Sequence, residues 1–290
     1  MPTIRVEDGR ELMYAEWGEP NGVPIFSLHG TPGCRLNRPA EEEKVAAEGV
    51  RLVTYDRPGY GGSDRHHGRQ VVDCVGDVEA LADALGIDRF GVTGGSGGGP
   101  HALAVGARLP ERVFAVHCVV GCAPYEAEGL DWFGGMDPEN VKEFGWALEG
   151  EDVLTEELVK EEAAARARVA EDPSTVLGDF ELSNADRAVL ADPRVHRIIM
   201  ESIAEECRRG VGGWVDDDLC FVTPWGFDVT ELTVPVEVRY GATDVLVPAA
   251  HGDWLAAHVP GAVVVKDSDE GHMSTPDRTI QELARLARKA

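Results

Sequence analysis

Apolar residues in this chain recur in two alternating rhythms, short extended runs and helically spaced sets. Two alternating runs in TIRVEDGRELMYAEWG flank Asp8-Gly9 and predict a β-hairpin. VPIFSLHG over 23–30 predicts a strand ending at a glycine, and GVRLVTYDRPGYGGSD over 49–64 predicts another that feeds a loop rich in glycine and proline. Over 71–86, Val71, Val72, Val75, Val78, Leu81, Ala82 and Leu85 fall at helical spacing, and Gly86 closes the helix. RFGVTG then reads as a strand, GGGPHALAVGARLP as a helix and VFAVHCVVG as a strand. Such alternation predicts a mostly parallel sheet covered by helices on both faces.

The rhythm breaks between about residues 124 and 228, where no core strand is predicted. Residues 138–150, 154–171 and 193–210 read as helices, the second amphipathic with Leu154, Leu158 and Val159 on one side. This predicts a helical insertion over 124–228 within a core formed by 1–123 and 229–290. The sheet pattern resumes with VPVEVRYG over 234–241, a helix over 248–258, the strand AVVVKD and a last helix over 276–288.

Composition narrows the partners. The 290 residues suit one α/β domain with an insertion, and a hydrophobic content of 43% is ample for a core. Asp and Glu number 52 against 27 Lys and Arg, a net charge of −25. Nucleic acid and anionic membranes both require a positive surface, so neither is expected as a partner. The acidic excess reads as a solvated shell. The opening residues lack an apolar signal core, and no segment approaches the roughly 20 apolar residues of a spanning helix. A soluble, cytoplasmic protein is expected. Cys34, Cys74, Cys118, Cys122, Cys207 and Cys220 show no metal-ligand spacing and read as buried reduced thiols. No metal and no cofactor are expected.

The candidate chemistry centres on GVTGGSGGGPHALA, residues 91–104. Gly94–Gly98 fits Gly-x-Ser-x-Gly between a predicted strand and a predicted helix, the context in which a serine sits on a strained turn. Ser96 is thus the candidate nucleophile, and the N–H of Gly97 a candidate oxyanion donor. Gly95 and Gly99 have no assigned role. The turn carries no large side chain beside Ser96, which predicts room there for an acyl group.

A serine hydroxyl needs a base, and the base an orienting carboxylate. Of nine histidines, His272 lies in the loop between the last strand and the last helix. His101 follows Ser96 on the same helix and points elsewhere; His29 reads as a structural hydrogen-bonding residue, His66 and His67 as solvated. Asp244 follows the penultimate strand and is the candidate carboxylate, with Asp253, Asp267, Asp269 and Glu270 as weaker substitutes. The strand ending at His29-Gly30 can aim the N–H of Thr31 at the same oxyanion; Pro32 has no N–H to offer.

Taken in order, HGTPG (29–33), DRPGYGGSD (56–64), GGSGG (94–98), GATDVLVP and EGHMS resemble the α/β-hydrolase superfamily over nearly the whole chain. The resemblance implies an α/β-hydrolase fold, a mostly parallel sheet of about eight strands with a helical cap inserted after the sixth. It also implies a serine hydrolase using Ser96, His272 and Asp244. His-Gly-x-Pro-Gly is similar to the proline iminopeptidase-like branch, whose usual run is His-Gly-Gly-Pro-Gly. Thr31 departs from that run, and Gly97 stands where that branch tends to carry tryptophan. Such aminopeptidases hold the substrate amine on acidic cap residues; Glu205 and Glu206 are available but read as a solvated helix face. An esterase of small-molecule esters, thioesters or activated amides is therefore favoured over an aminopeptidase. A carbon–carbon bond hydrolase or lyase on the same triad remains open, as does a ligand-binding receptor on the same scaffold. Trp132, Phe133, Trp146, Trp214 and Trp225 are expected to line a pocket for an apolar acyl or alcohol group. The sequence does not choose between a monomer and a homodimer.

Overall fold

The computed structural model describes residues 1–171, 175, 180–275 and 279–288. Its strands are β1 (Thr3–Arg5), β2 (Glu11–Gly18), β3 (Val23–Leu28), β4 (Val50–Tyr55), β5 (Phe90–Gly95), β6 (Val113–Val119), β7 (Val236–Gly241) and β8 (Val263–Asp267). They form one sheet in the order β1-β2-β4-β3-β5-β6-β7-β8. The pairs β1/β2 and β2/β4 are antiparallel and every other pair is parallel. The hairpin expected at Asp8-Gly9 is β1/β2, with Gly9 at φ 90° in its turn.

The central strands are apolar on both faces because helices cover both. On one side, α1 (Glu42–Ala47) and α10 (Thr279–Ala287) place Val45, Leu283 and Ala284 against Ile25, Val50 and Leu52. On the other, α2 (Cys74–Ala84) and α3 (Gly98–Arg108) place Val78, Leu81 and Leu103 against Phe26, Val53 and Val92. Ile25, Phe26, Leu52, Val53 and Val92 are all fully buried.

Between β6 and β7 run α4 (Pro138–Glu149), α5 (Glu151–Glu171), α6 (Asn184–Leu190), α7 (Pro193–Glu206) and α8 (Gly212–Phe221). Asp137 and Asp192 cap α4 and α7, each followed by proline at the first helical position. A local core joins Ala147, Leu154, Leu158, Cys207, Val211 and Val215. Val159 lies outside it and is 53% exposed, because one further residue turns the helix about 100° away from Leu158. The helix expected over 193–210 ends at Glu206, and α6 and α8 were not anticipated. Only seven residues long, α6 is too short to show a period; α8 opens on Gly-Gly and carries three aspartates in succession. The last helix, α9 (Ala249–His258) aside, is α10; residues 276–278 of its expected span lie outside the described residues. Among the described residues, no helix is long and apolar enough to cross a membrane.

Candidate active site

β5 ends at Gly95 and α3 begins at Gly98, which leaves two residues for a sharp reversal. Ser96 takes φ 54°, a left-handed conformation that non-glycine residues rarely adopt. Its N–H donates to the Val119 carbonyl at 2.9 Å. The neighbouring glycines are sterically required. A Cβ on Gly94 would lie 2.0 Å from the Gly98 carbonyl oxygen, and one on Gly98 2.1 Å from that of Leu28. Gly99 has a role after all: its Cβ would lie 2.8 Å from Gly121 Cα, so it lets α3 approach the end of β6. The expectation of room around the turn needs correction. A Cβ on Gly97 would meet Thr31 Oγ1 at 2.3 Å and Phe221 Cζ at 3.0 Å, whereas one on Gly95 meets nothing within 4 Å. The free space lies on the Gly95 side alone.

His272 and Asp244 sit in the loops that follow β8 and β7, at the carboxyl ends of parallel strands where α/β sheets bind ligands. His272 Nδ1 lies 2.8 Å from Asp244 Oδ2. Asp244 Oδ1 accepts the N–H groups of Leu246 and Val247, each at 2.9 Å, which fixes the carboxylate. Burial disfavours a charged His272 ring. The Asp244 charge, its hydrogen bond and the Asp186 charge outweigh that, and the His272 pKa stands above the ordinary 6.5. Asp186, on α6, also binds the backbone of the His272 loop.

The loop at Thr31 is held by a buried charge cluster. Arg57 donates to the carbonyls of His29 and Gly30, and its Nη2 lies 3.1 Å from Thr31 Oγ1. The Thr31 hydroxyl donates to Asp217 Oδ2 at 2.6 Å. Asp217, on α8, also receives Arg57 at 2.5 Å, Arg69 at 2.7 Å and the Tyr60 hydroxyl at 2.8 Å. Burial alone would raise the Asp217 pKa; Arg57 and Arg69 hold it well below the carboxylate range. His29 Nε2 accepts the Arg57 N–H and its Nδ1 faces the Gly30 carbonyl, so both ring nitrogens are engaged. Burial and then the Arg57 charge keep that ring neutral. Among the described residues, no protein acceptor takes the N–H of Thr31 or of Gly97.

Ser96, His272, Thr31 and Gly97 open on one cavity of about 1060 Å³, walled also by Trp132, Trp146 and Trp214. Phe133 and Trp225 are not in its wall. Phe133 packs edge-on against Trp132 and Tyr125. Trp225 stacks on Phe227 and lines a separate cavity of about 400 Å³. Aromatic identity alone could not say which wall each ring joins.

The same cavity is acidic in part. Glu143 and Asp218 are in its wall, with Glu143 Oε1 accepting the Trp214 indole N–H at 2.9 Å. Neither oxygen of the buried Asp218 meets a donor in the protein. Burial, then Glu143 and Asp217, push the Asp218 pKa well up, and burial raises that of Glu143 as well, so the two carboxyls titrate as a pair. Glu206 also faces the cavity, with its pKa raised to about 7 by burial. Glu205 instead pairs with Arg35 at 2.8 Å and Arg208 at 3.1 Å. Neither glutamate is the solvated face expected of it.

Two groups of metal-ligand type occur among the described residues, His101/Asp217/Cys220 and His117/Glu237/Glu282. Arginines already occupy both: Arg57 and Arg69 at Asp217, Arg239 at Glu237 and Glu282.

Three residues that shape the site escaped the sequence reading: Arg57, Asp217 and Asp186. Asp217 had one signal, three successive aspartates inside an otherwise apolar stretch, GGWVDDDLCF. Exposed aspartates would not need flanking Trp214, Val215, Cys220 and Phe221.

The model of the alpha/beta hydrolase fold family matches residues 23–279. A proline iminopeptidase from Neisseria gonorrhoeae is 26% identical over 254 residues, covering 82% of this chain and 80% of that one. A non-heme chloroperoxidase from Streptomyces lividans is 26% identical over 283 residues, 95% of each chain. Among solved structures, an enol-lactonase from Burkholderia xenovorans superposes with a TM-score of 0.66 at 22% identity, over 99% of this chain and 98% of that one. The eight-stranded sheet with its reversal at Ser96 and the match over 23–279 agree: the chain belongs to the alpha/beta hydrolase fold family.

Proposed function

We propose that the protein is a serine hydrolase of small-molecule esters, with Ser96 as nucleophile, His272 as base and Asp244 as its orienting carboxylate. The observation that carries this reading is the pairing of His272 with the buried Asp244 at 2.8 Å, with His272 in the wall of the cavity that also holds the strained Ser96. In the proposed reaction, His272 Nε2 takes the Ser96 proton as Oγ attacks the carbonyl carbon. The N–H groups of Thr31 and Gly97 stabilise the oxyanion. The imidazolium returns its proton to the leaving alcohol, and an acyl-serine remains. Water, deprotonated by His272, then releases the acid and restores the serine. Residues 124–228 act as a cap over this cavity, supplying Trp132, Trp146 and Trp214 to an apolar part of its wall.

A fluorophosphonate probe and a panel of p-nitrophenyl esters test the reading. Wild type is expected to label and hydrolyse, and Ser96→Ala to do neither. An unlabelled wild type, or an active Ser96→Ala, sinks it.

One observation favours a second reading, an aminopeptidase. Glu143, Asp218 and Glu206 put three carboxyl groups in the cavity wall, each with its pKa raised by burial, and a substrate ammonium group would supply the counter-charge that the site lacks; a proline iminopeptidase is among the relatives. Hydrolysis of prolyl p-nitroanilide faster than of any ester in the panel would select it.

A further inference from the structure

We propose that Asp186, carried on helix α6 of the inserted segment, is a positioning residue for His272, so that α6 must be seated on the core for turnover. This rests on the reading of His272 as the base. One carboxylate binds a run of three residues. Asp186 Oδ2 accepts the His272 N–H at 3.2 Å; Oδ1 accepts the N–H of Met273 at 2.8 Å, that of Ser274 at 3.0 Å and the Ser274 hydroxyl at 2.9 Å. Successive N–H groups converging on one point form an anion-binding concavity, and here the protein supplies the anion from 86 to 88 residues away. Asp186 is 1% exposed.

Both partners are built for the contact. Asp186 lies in the first turn of α6, where its own N–H is satisfied by the Ser183 hydroxyl at 3.1 Å. On the loop side, a Cβ on Gly271 would stand 2.1 Å from Asp186 Oδ2, so only glycine lets the carboxylate come this close. The loop is gathered further by Gly271 N–H on Ser274 Oγ at 2.8 Å and by the Thr275 hydroxyl on the Gly271 carbonyl at 2.6 Å. The charged groups that act on the His272 ring are Asp244, from the loop after β7, and Asp186, from α6. Asp244 holds the ring and Asp186 the backbone beneath it. If α6 lifts, the loop loses four hydrogen bonds and the base its place. A base misplaced by about 1 Å costs on the order of 10²-fold in rate.

The test compares wild type, Asp186→Asn and Ser274→Ala for kcat and KM on a p-nitrophenyl ester and for the pH dependence of fluorophosphonate labelling. Asparagine turns a donor toward one of the N–H groups and removes the charge. Asp186→Asn is expected to lose about 10²-fold in kcat with KM little changed, and its acid limb to move to lower pH. Ser274→Ala, which removes one of the four bonds together with the Gly271 N–H bond to Ser274 Oγ, leaves the other three in place, gives a smaller loss in kcat and serves if Asp186→Asn does not fold. Unchanged kcat and acid limb in either folded variant overturn the proposal. So does a rate loss that only tracks the unfolded fraction, with the limb unmoved. A wild type that does not label at Ser96 overturns both this inference and the reading beneath it; a labelled wild type beside an unaltered Asp186→Asn overturns this inference alone.

Discussion

Arg57 and Asp217 form an ion pair with neither side chain exposed to solvent, and the pair joins the loop after β4 to helix α8 of the insertion. Removing one partner strands the other charge in the interior, which costs about 3–5 kcal/mol for a buried pair. Asp217→Asn leaves both Arg57 and Arg69 short of a counter-charge. Urea unfolding is expected to show a loss of that order for Asp217→Asn. A loss within about 0.5 kcal/mol, the ordinary range of surface substitutions, would refute the assignment.

The glycines beside Ser96 should separate in their effects. Gly97→Ala drives a Cβ into Thr31 and Phe221, and so displaces both proposed oxyanion donors. A loss of about 10²–10³-fold in kcat is expected, the usual cost of one such donor. Gly95→Ala enters open space and is expected to unfold at the wild-type urea midpoint while changing the preferred acyl size. A Gly95→Ala variant with unaltered chain-length preference would show that this face does not touch substrate.

The pH profile follows from His272 as the proposed base. Its folded pKa is raised above 6.5, and a base acts only when neutral. The acid limb of kcat/KM is therefore expected above 6.5 and should move down in Asp244→Asn, with a loss in kcat on the order of 10⁴-fold. The stability sign is opposite. A raised folded pKa means that the His272–Asp244 contribution is fully present below the unfolded value of 6.5 and is lost as pH rises through the folded one. A wild-type acid limb below 6.5 would contradict the pairing.

Asp218 follows the same sign from a lower starting pH. Its folded pKa stands well above 3.8, so its contribution to stability falls as pH rises through the unfolded value toward the folded one. Asp218→Asn is expected to be more stable than wild type at alkaline pH, by thermal melts across pH. Glu143→Gln is the substrate test. It should raise KM for amine-bearing substrates alone if the acidic wall binds ammonium, and for neither substrate class if it does not.

The sequence was informative where chemistry is local. Gly94 and Gly98 flank Ser96 within one turn, so the reversal could be read from five residues. Strands β3 to β7 could be read because burial on both faces makes them continuous apolar runs. What stayed hidden depends on contacts between distant residues. Asp217 meets Arg57 across 160 residues, and the apolar flanks of Asp-Asp-Asp hint at burial without naming a partner. On the helix, successive residues point about 100° apart. Asp216 therefore turns to Arg65, Asp217 to Arg57 and Asp218 to the cavity wall. The charge tally could not single these out: Asp56, Asp77, Asp186, Asp216, Asp217, Asp218 and Asp244 count in it like any surface carboxylate, and all are buried.

Asp217 also bears on how such a chain can diversify. It lies inside the insertion, yet it neutralises two arginines of the core and anchors Thr31. The insertion is not an interchangeable part. A foreign lid grafted between residues 124 and 228 would leave Arg57 and Arg69 without their counter-ion unless it brought its own carboxylate to the same point. If residues 124–228 are the proposed cap, exchanging it demands a matching change at Arg57 and Arg69, whereas a change in the cavity wall makes no such demand on the core.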